Sequence, residues 1–218
     1  MRMIVEEIMA TNVSTLLQQN TISDAIRMMS EKKIRHIPIT DENKHLVGII
    51  SDRDIKDASP SILHCCERQE VYEQPIGSIM KTDLITGNPL DFVEEIAATF
   101  YDNKIDCLPI VKDNVLVGII TETDLLHTLV ELTGAHQPGS QIEVRVPNKE
   151  GMLLEIFSCF RNHRVNIQSV LVYPDKTDAD KKVLVFRVQT INPMNIIEDL
   201  KKAGHDVLWP NLPGMQKS

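Results

Sequence analysis

The chain has 218 residues, long enough for one large domain or two small ones. Its 42% hydrophobic and 25% charged residues are ordinary for a globular protein and argue against global disorder. Lys+Arg 23 against Asp+Glu 31 gives a net charge of −8, which excludes broad non-specific binding to nucleic acid or membrane but leaves local basic patches for small anions.

The opening run Met1-Arg2-Met3-Ile4-Val5-Glu6-Glu7 turns acidic at once and lacks the apolar core of a signal peptide. No stretch approaches the ~20 apolar residues of a transmembrane helix. The cysteines Cys65, Cys66, Cys107 and Cys159 form no C-x-x-C pair, which fits reduced thiols and a cytoplasmic chain. His64-Cys65-Cys66 has no second ligand pair at zinc spacing, so no metal site is expected.

The first elements in chain order are a short strand over 13–16 and a helix begun by Thr21 and Asp24 at capping-box spacing, carrying Ala25, Ile26 and Met29. A β-rich run passes through Pro38 to a turn at Asp41-Glu42-Asn43, an apolar strand covers 46–50, and a last helix opens at Ser51. The segment 57–74, with Ser59-Pro60-Ser61 and Glu67-Arg68-Gln69-Glu70, reads as a surface connection with a short helix and no chemistry.

The same order then returns. Ile79-Met80-Lys81-Thr82 answers Ile8-Met9-Ala10-Thr11, and Lys104-Ile105-Asp106-Cys107-Leu108-Pro109-Ile110 answers Lys33-Ile34-Arg35-His36-Ile37-Pro38-Ile39. Leu116-Val117-Gly118-Ile119-Ile120-Thr121-Glu122-Thr123-Asp124 answers Leu46-Val47-Gly48-Ile49-Ile50-Ser51-Asp52-Arg53-Asp54, with Lys44 as one extra turn residue in the first copy. The second copy therefore predicts a strand over 84–86 and a helix capped by Asp91 with Phe92, Ile96 and Phe100 on one face. Its turn falls at Lys112-Asp113-Asn114, its apolar strand over 116–120, and its final helix begins at Thr121.

This β-α-β-β-α unit, with G-Φ-Φ-[ST]-x-x-D after its last strand, resembles the CBS domain, and two copies resemble the tandem pair called a Bateman module. The resemblance implies a pseudo-twofold pair with two clefts for an adenosyl ligand such as AMP, ADP, ATP or S-adenosylmethionine, and no cofactor. An ionised Asp accepts both hydroxyls of a ribose diol, which suits Asp54 and Asp124. Ser51 and Thr121 can donate to ribose or phosphate beside the free N–H groups of a helix start. Val13, Leu84, Ile37 and Leu108 are expected to flank the base, and Arg35, His36 and Arg53 to neutralise phosphate. The second copy has Asp106-Cys107 and Thr123 in the places of Arg35-His36 and Arg53, and an Asp near phosphate repels it. The first repeat is thus expected to carry the phosphate determinants, with the second binding a neutral nucleoside or degenerate. Cys107, in an expected buried strand with no base, is not a nucleophile candidate. The Ser51-x-x-Asp54 and Thr121-x-x-Asp124 spacing is equally the acidic form of a helix cap that needs no ligand, and the two roles are compatible.

The repeat stops near Thr133-Gly134, and Gln137-Pro138-Gly139-Ser140 reads as a linker. Ile142, Val144 and Val146 alternate with Glu143 and Arg145 as a strand, and Asn148-Lys149-Glu150-Gly151 turns into a helix with Leu153, Ile156, Phe157 and Phe160 on one face. Strands over 165–173 and 183–190, a helix capped by Asn192 with Pro193 first, a stop at Gly204 and a strand over 206–209 complete a β-α-β-β-α-β plait. With N-x-x-G-x-L from Asn148 to Leu153, this resembles the ACT domain, a regulatory module that often binds amino acids between subunits. Asn148 and Gly151 are the candidate amino-acid contacts; a plain tight turn at Gly151, or subunit pairing without ligand, fits the residues equally.

The expected fold is α/β (α+β): CBS repeats over 5–60 and 75–134, then a ferredoxin-like ACT domain over 140–213. Arg35-His36-Ile37-Pro38, Asp52-Arg53-Asp54, Leu132-Thr133-Gly134-Ala135 and Val170-Leu171-Val172-Tyr173-Pro174 are similar to the bacterial acetoin utilisation proteins of this architecture. That resemblance implies a cytoplasmic, homodimeric regulator tied to acetoin or butanediol catabolism and sporulation, with enzymes that modify acetyl-CoA synthetase as associated partners. No Walker loop, G-x-G-x-x-G, H-E-x-x-H or nucleophile–base pair argues for an enzyme. The alternative to a sensor is a dimerising scaffold or regulatory subunit without ligand. Up to Gln137 there are 12 basic and 22 acidic residues and beyond it 11 and 9, so a phosphate-binding module here must gather its cations locally.

Overall fold

Thr21 opens the first helix as its spacing to Asp24 requires. Its hydroxyl accepts the Asp24 N–H at 3.1 Å and the Asp24 carboxylate accepts the Thr21 N–H at 3.1 Å. The helix, α1 (Ile22–Lys32), buries Ile22, Ala25 and Met29 against the hairpin of β2 (His36–Thr40) and β3 (Leu46–Ser51). A two-residue strand, β1 (Leu16–Leu17), pairs parallel to β2, and α2 (Asp52–Ala58) follows β3 directly. The structure, a computed structural model, describes residues 3–58 and 71–210. The runs Ser59-Pro60-Ser61, His64-Cys65-Cys66 and Glu67-Arg68-Gln69-Glu70 lie outside the described residues.

The second repeat has α3 (Val93–Asn103), β4 (Cys107–Lys112), β5 (Val115–Thr121) and α4 (Glu122–Thr133) in matching order. Both hairpins are antiparallel, with His36 opposite Ser51 and Cys107 opposite Thr121. Asp113 and Asn114, at φ 51° and 66°, close the tighter hairpin, whereas Lys44 at φ 65° absorbs the extra residue of the other.

Three local expectations shift. The strand expected over 13–16 pairs only at Leu16–Leu17, and that over 84–86 is reduced to a single bridge from Gly87 to Ile110. Asp91 does not cap α3: its carboxylate accepts the Asn88 N–H at 2.7 Å, and Phe92 stands at the cap position without a side-chain bond. Phe92 is consequently exposed, and Val93, Ile96 and Phe100 form the buried face.

The first two shifts share a cause. The segment leading into each repeat runs across the other one. Ala10 and Ile119 exchange backbone hydrogen bonds at 2.9 and 3.0 Å, and Lys81 and Ile49 do the same at 2.9 and 3.0 Å. Val5 joins the core of the second repeat and Ile76 that of the first. The glycine of each G-Φ-Φ motif permits this crossing, because a Cβ on Gly48 or Gly118 would run into Met80 or Met9.

By contacts the chain divides into Met1–Leu126 and His127–Ser218, the second unit taking the end of α4. In that unit Ser169 Oγ donates to the Thr133 carbonyl at 2.9 Å and Arg187 Nη2 to the Gln137 carbonyl at 2.7 Å. Its sheet has the order β7 (Ile167–Pro174), β8 (Lys181–Val188), β6 (Ser140–Pro147), β9 (Asp206–Trp209), with antiparallel neighbours throughout. Helices α5 (Met152–Phe160) and α6 (Met194–Lys202) contribute Met152, Ile156, Phe160, Ile196, Ile197 and Leu200 to the core. The plait is the expected one, with small offsets. Leu153 and Phe157 are each 37% exposed, and Met152 takes the buried place. Asn192 Oδ1 accepts the Met194 N–H at 3.1 Å, although Pro193, not Asn192, is the cap residue.

The loop before β8 is tied down by Asp175, which accepts from Thr177 N at 2.7 Å, Thr177 Oγ1 at 2.6 Å and Arg145 Nε at 2.6 Å. The Thr177 hydroxyl and N–H, reinforced by Arg145, hold its carboxyl far below the usual carboxylate range. A depressed native value stabilises above the unfolded value near pH ~4 and loses that contribution only as pH falls through the native value. Asp175→Ala is therefore expected to lower the melting point of this unit at pH 7, and the gap from the parent chain should narrow only well below about pH 4. Trp209, the single tryptophan and a β9 residue, supplies the fluorescence readout.

Candidate functional site

Ser51 and Thr121 end their strands where the next helix begins, so each sits on a strand-to-helix corner beside an open cavity. Asp54 Oδ2 accepts the Ser51 N–H at 2.8 Å and the Ser51 hydroxyl, while Ser51 Oγ accepts the Asp54 N–H at 3.2 Å. Asp124 Oδ2 likewise accepts Thr121 N at 2.8 Å and Oγ1 at 2.7 Å. The capping box is thus closed at Ser51 and Asp54, and at the second corner its carboxylate half is in place. It leaves Asp54 Oδ1 turned to Lys81 Nζ at 3.1 Å. Burial pushes the Asp54 carboxyl up, but the Ser51 hydrogen bonds and the Lys81 ammonium outweigh it and hold the group below the usual range, hence ionised. The helix-start N–H groups are less available than expected: Asp52 N donates to the Arg35 carbonyl at 3.0 Å and Asp54 N to Ser51.

Because the lead segments cross, each cavity is assembled from both repeats. The cavity at Ser51 and Asp54, about 350 Å³, is walled by Leu84 and Ile85 from the lead segment of the second repeat and by Ile105 and Pro109 from its hairpin arm. The cavity at Thr121 and Asp124, about 330 Å³, takes Ala10, Val13, Ile34 and Pro38 from the first repeat. Val13 and Leu84 therefore do line clefts, each in the cleft whose Asp belongs to the other repeat. Ile37 and Leu108 do not. Both have no exposed surface and lie in the two cores, and the neighbouring residues His36, Pro38, Cys107 and Pro109 face the cavities instead. The alternation of a strand puts residues one apart on opposite faces.

Arg35, His36 and Asp106 line both cavities. The division expected from the sequence, with the first two in one cleft and Asp106 in the other, is corrected by this shared wall. Burial pushes His36 down, against the pull of Asp106, so at neutral pH it is a neutral hydrogen-bonding group and Arg35 supplies the fixed charge. In charge the clefts differ at Arg53 against Thr123, at Lys81 against Ala10, at Asp83 against Asn12, and in Lys56, which lines the first cleft alone. In all, the Ser51 cleft is lined by five Lys or Arg and four Asp, and the Thr121 cleft by two Lys or Arg and three acidic residues. Arg35, Arg53 and Lys104 make no ion pair among the described residues, so three cations in the first cleft are available to an anion.

Lys81 is the residue that sequence reasoning missed. The alignment of Ile79-Met80-Lys81 with Ile8-Met9-Ala10 contained the signal, but nothing in the sequence placed either segment over a cleft. Burial, then Asp124 and Asp106, push the Cys107 thiol up to about 12, which suits a packed side chain and not a nucleophile.

In the plait, Asn148 and Gly151 are both exposed at the turn into α5. Asn148 N donates to the Asp180 carbonyl at 2.8 Å, and Gly151 has φ 83° with open space where a Cβ would be. The turn alone requires glycine. Gly151→Ala is expected to cost about 1 kcal/mol of stability from its left-handed backbone, read as a shift in the Trp209 unfolding midpoint. Among the described residues no group of His, Cys, Asp and Glu is placed to hold a metal, and no helix is long and apolar enough to cross a membrane.

The comparisons agree with this architecture. Residues 5–61 and 76–131 match the CBS domain and 140–205 the ACT domain. A solved Vibrio cholerae protein assigned to acetoin utilisation and named AcuB is 36% identical, with TM-score 0.54, over 63% of this chain and all of that one. The CBS pair of protein MJ0100, solved with 5'-methylthioadenosine and S-adenosylmethionine, is 27% identical, with TM-score 0.51, over 62% of this chain and 98% of that one. Homoserine O-acetyltransferase of Methanococcus vannielii is 35% identical over 58% of this chain, which spans only 25% of that enzyme. The CBS domain-containing protein YhcV of Bacillus subtilis is 31% identical over 56% of this chain and 81% of its own length.

Proposed function

The chain belongs to the CBS-domain family, with a tandem CBS pair and a C-terminal ACT domain, both regulatory modules, and from that premise we propose that it is a non-catalytic sensor of a phosphorylated adenosyl ligand. The observation that carries the proposal is the cleft of Ser51 and Asp54. It offers an ionised carboxylate for a ribose, an apolar slot of Leu84, Ile85, Ile105 and Pro109, and for phosphate Arg35 and Arg53, which make no ion pair among the described residues. AMP, ADP and ATP have that chemistry. The cleft of Thr121 and Asp124, poorer in cations, suits an uncharged or cationic adenosyl group, and the methylthioadenosine and S-adenosylmethionine held by the MJ0100 pair support adenosyl recognition.

The likeness to a protein named for acetoin utilisation supports a place in acetoin use. A cytoplasmic homodimer acting on another metabolic protein is part of the same proposal. Asn148 and Gly151 are the proposed contacts of an amino acid at the ACT domain. A ligand-free scaffold is the second reading, favoured by the fact that the Ser51 and Asp54 capping box is closed without a ligand. Mass spectrometry of small molecules released from the natively purified chain separates the two. The sensor predicts an adenosyl compound near one per chain; a chain that carries none, and gives no heat with AMP, ADP, ATP or S-adenosylmethionine, is a scaffold.

A further inference from the structure

We infer that Lys81 sets the charge selectivity of the Ser51 and Asp54 cleft by exchanging partners with the ligand, an inference that rests on the nucleotide reading of that cleft. One oxygen of Asp54 is committed to the fold, through Ser51, and the other is held by Lys81 at 3.1 Å. A ribose diol is left the second oxygen, and accepting both of its hydroxyls takes both lone pairs of that oxygen, so the ammonium gives way. The Asp54 side chain is 12% exposed and that of Lys81 65%, so the lysine is the partner free to move.

Once displaced, the 65% exposed ammonium is left to solvent and to the other carboxylates of the cleft, Asp52, Asp83 and Asp106, beside the cations Arg35 and Arg53. An anionic group on the incoming ligand gives it a partner inside the cleft in place of the one it has lost. A phosphate does so, forming a new charge-assisted hydrogen bond as the old one breaks. An uncharged nucleoside breaks the ion pair with no replacement, and a sulfonium brings further positive charge towards the cations. Lys81 thereby couples recognition of the ribose to the presence of phosphate.

In the other cleft Ala10 stands in the place of Lys81. Ala10 makes to Ile119 the backbone bridge that Lys81 makes to Ile49, and it lines that cleft without a charge. The two clefts of one module therefore sort adenosyl ligands by charge: phosphorylated compounds to the Lys81 side, uncharged or cationic ones to the Ala10 side.

The test uses the full chain with Asp124→Asn to weaken the second cleft, and compares Lys81, Lys81→Met and Lys81→Arg by calorimetric titration with ADP and with adenosine. Lys81→Met is expected to weaken ADP about tenfold, the scale of one hydrogen bond to a charged group, and to strengthen adenosine about twofold by freeing Asp54. Lys81→Arg should keep the preference for ADP. A merely structural lysine would move both ligands in the same direction, and parallel weakening, or no change with either, overturns the inference while the nucleotide reading stands. If neither ADP nor adenosine binds the parent chain, the nucleotide reading falls and this inference falls with it.

Discussion

Asp54→Asn is expected to weaken both ADP and adenosine about a hundredfold, the loss of two charge-assisted hydrogen bonds to a ribose diol. The amide retains an oxygen for the Ser51 N–H, so α2 keeps its cap and the variant should fold. This distinguishes Asp54 from Lys81, whose removal is expected to move the two ligands in opposite directions. The same change at Asp124 is expected to leave ADP within about twofold, because two of the three things a phosphorylated ligand needs, Arg53 and Lys81, line the other cleft only. Equal losses from Asp54→Asn and Asp124→Asn would mean that the clefts do not differ in the way their charges suggest. Calorimetric titration of the three chains side by side decides it.

Phe186→Ala is expected to cost the plait about 4 kcal/mol. Phe186 has no exposed surface, and it packs against Phe160 at a ring separation of 5.0 Å and edge-on against Phe157 at 5.8 Å. Deleting it leaves a cavity under both helices of the unit, because Ile156 and Phe160 of α5 and Ile196, Ile197 and Leu200 of α6 belong to the same cluster. A domain has only about 5–15 kcal/mol of net stability, so the loss is a large share of it. Urea unfolding followed by Trp209 fluorescence should show the midpoint fall steeply. A midpoint displaced by less than the equivalent of ~1 kcal/mol would show that the core closes over the gap.

The repeat, the plait and the corner residues were legible because they are local or periodic. Thr21 and Asp24 stand three apart and cap; Ser51 and Asp54, and Thr121 and Asp124, do the same at the heads of two clefts. The extra Lys44 was visible as a break in the repeat and is a left-handed turn residue. Asp91 misled because its carboxylate closes a turn with Asn88 one step before the helix, a competition between two local hydrogen bonds that spacing cannot decide.

The clefts were harder to read for two physical reasons. Ile37 and Leu108 were placed against the base although they point into the cores; their neighbours Pro38 and Pro109 are the cleft residues, and in a strand a one-residue error reverses the face. The crossing of the lead segments is a long-range event carried by Met9 and Met80 lying over Gly118 and Gly48. A sequence that repeats itself does not say which copy a segment will pack on. That crossing takes Val13 to the cleft of Asp124 and Leu84 to the cleft of Asp54, and it brings Lys81 onto Asp54.

The acidic balance of the first 137 residues is consistent with this arrangement. A phosphate site in such a module needs its cations concentrated, and five of them line one cavity. The shared Arg35 and the differing residues 53, 81, 10 and 123 leave one cleft of the pair richer in cations, as the proposed selectivity requires.

The most direct measurement is a crystal structure of the full chain grown with ADP. The ribose is expected on Asp54, the base between Leu84 and Pro109, and the phosphates among Arg35, Arg53 and a Lys81 released from Asp54. Phosphates in the cleft of Thr121 and Asp124, or no nucleotide in either cleft at saturating ADP, would contradict it.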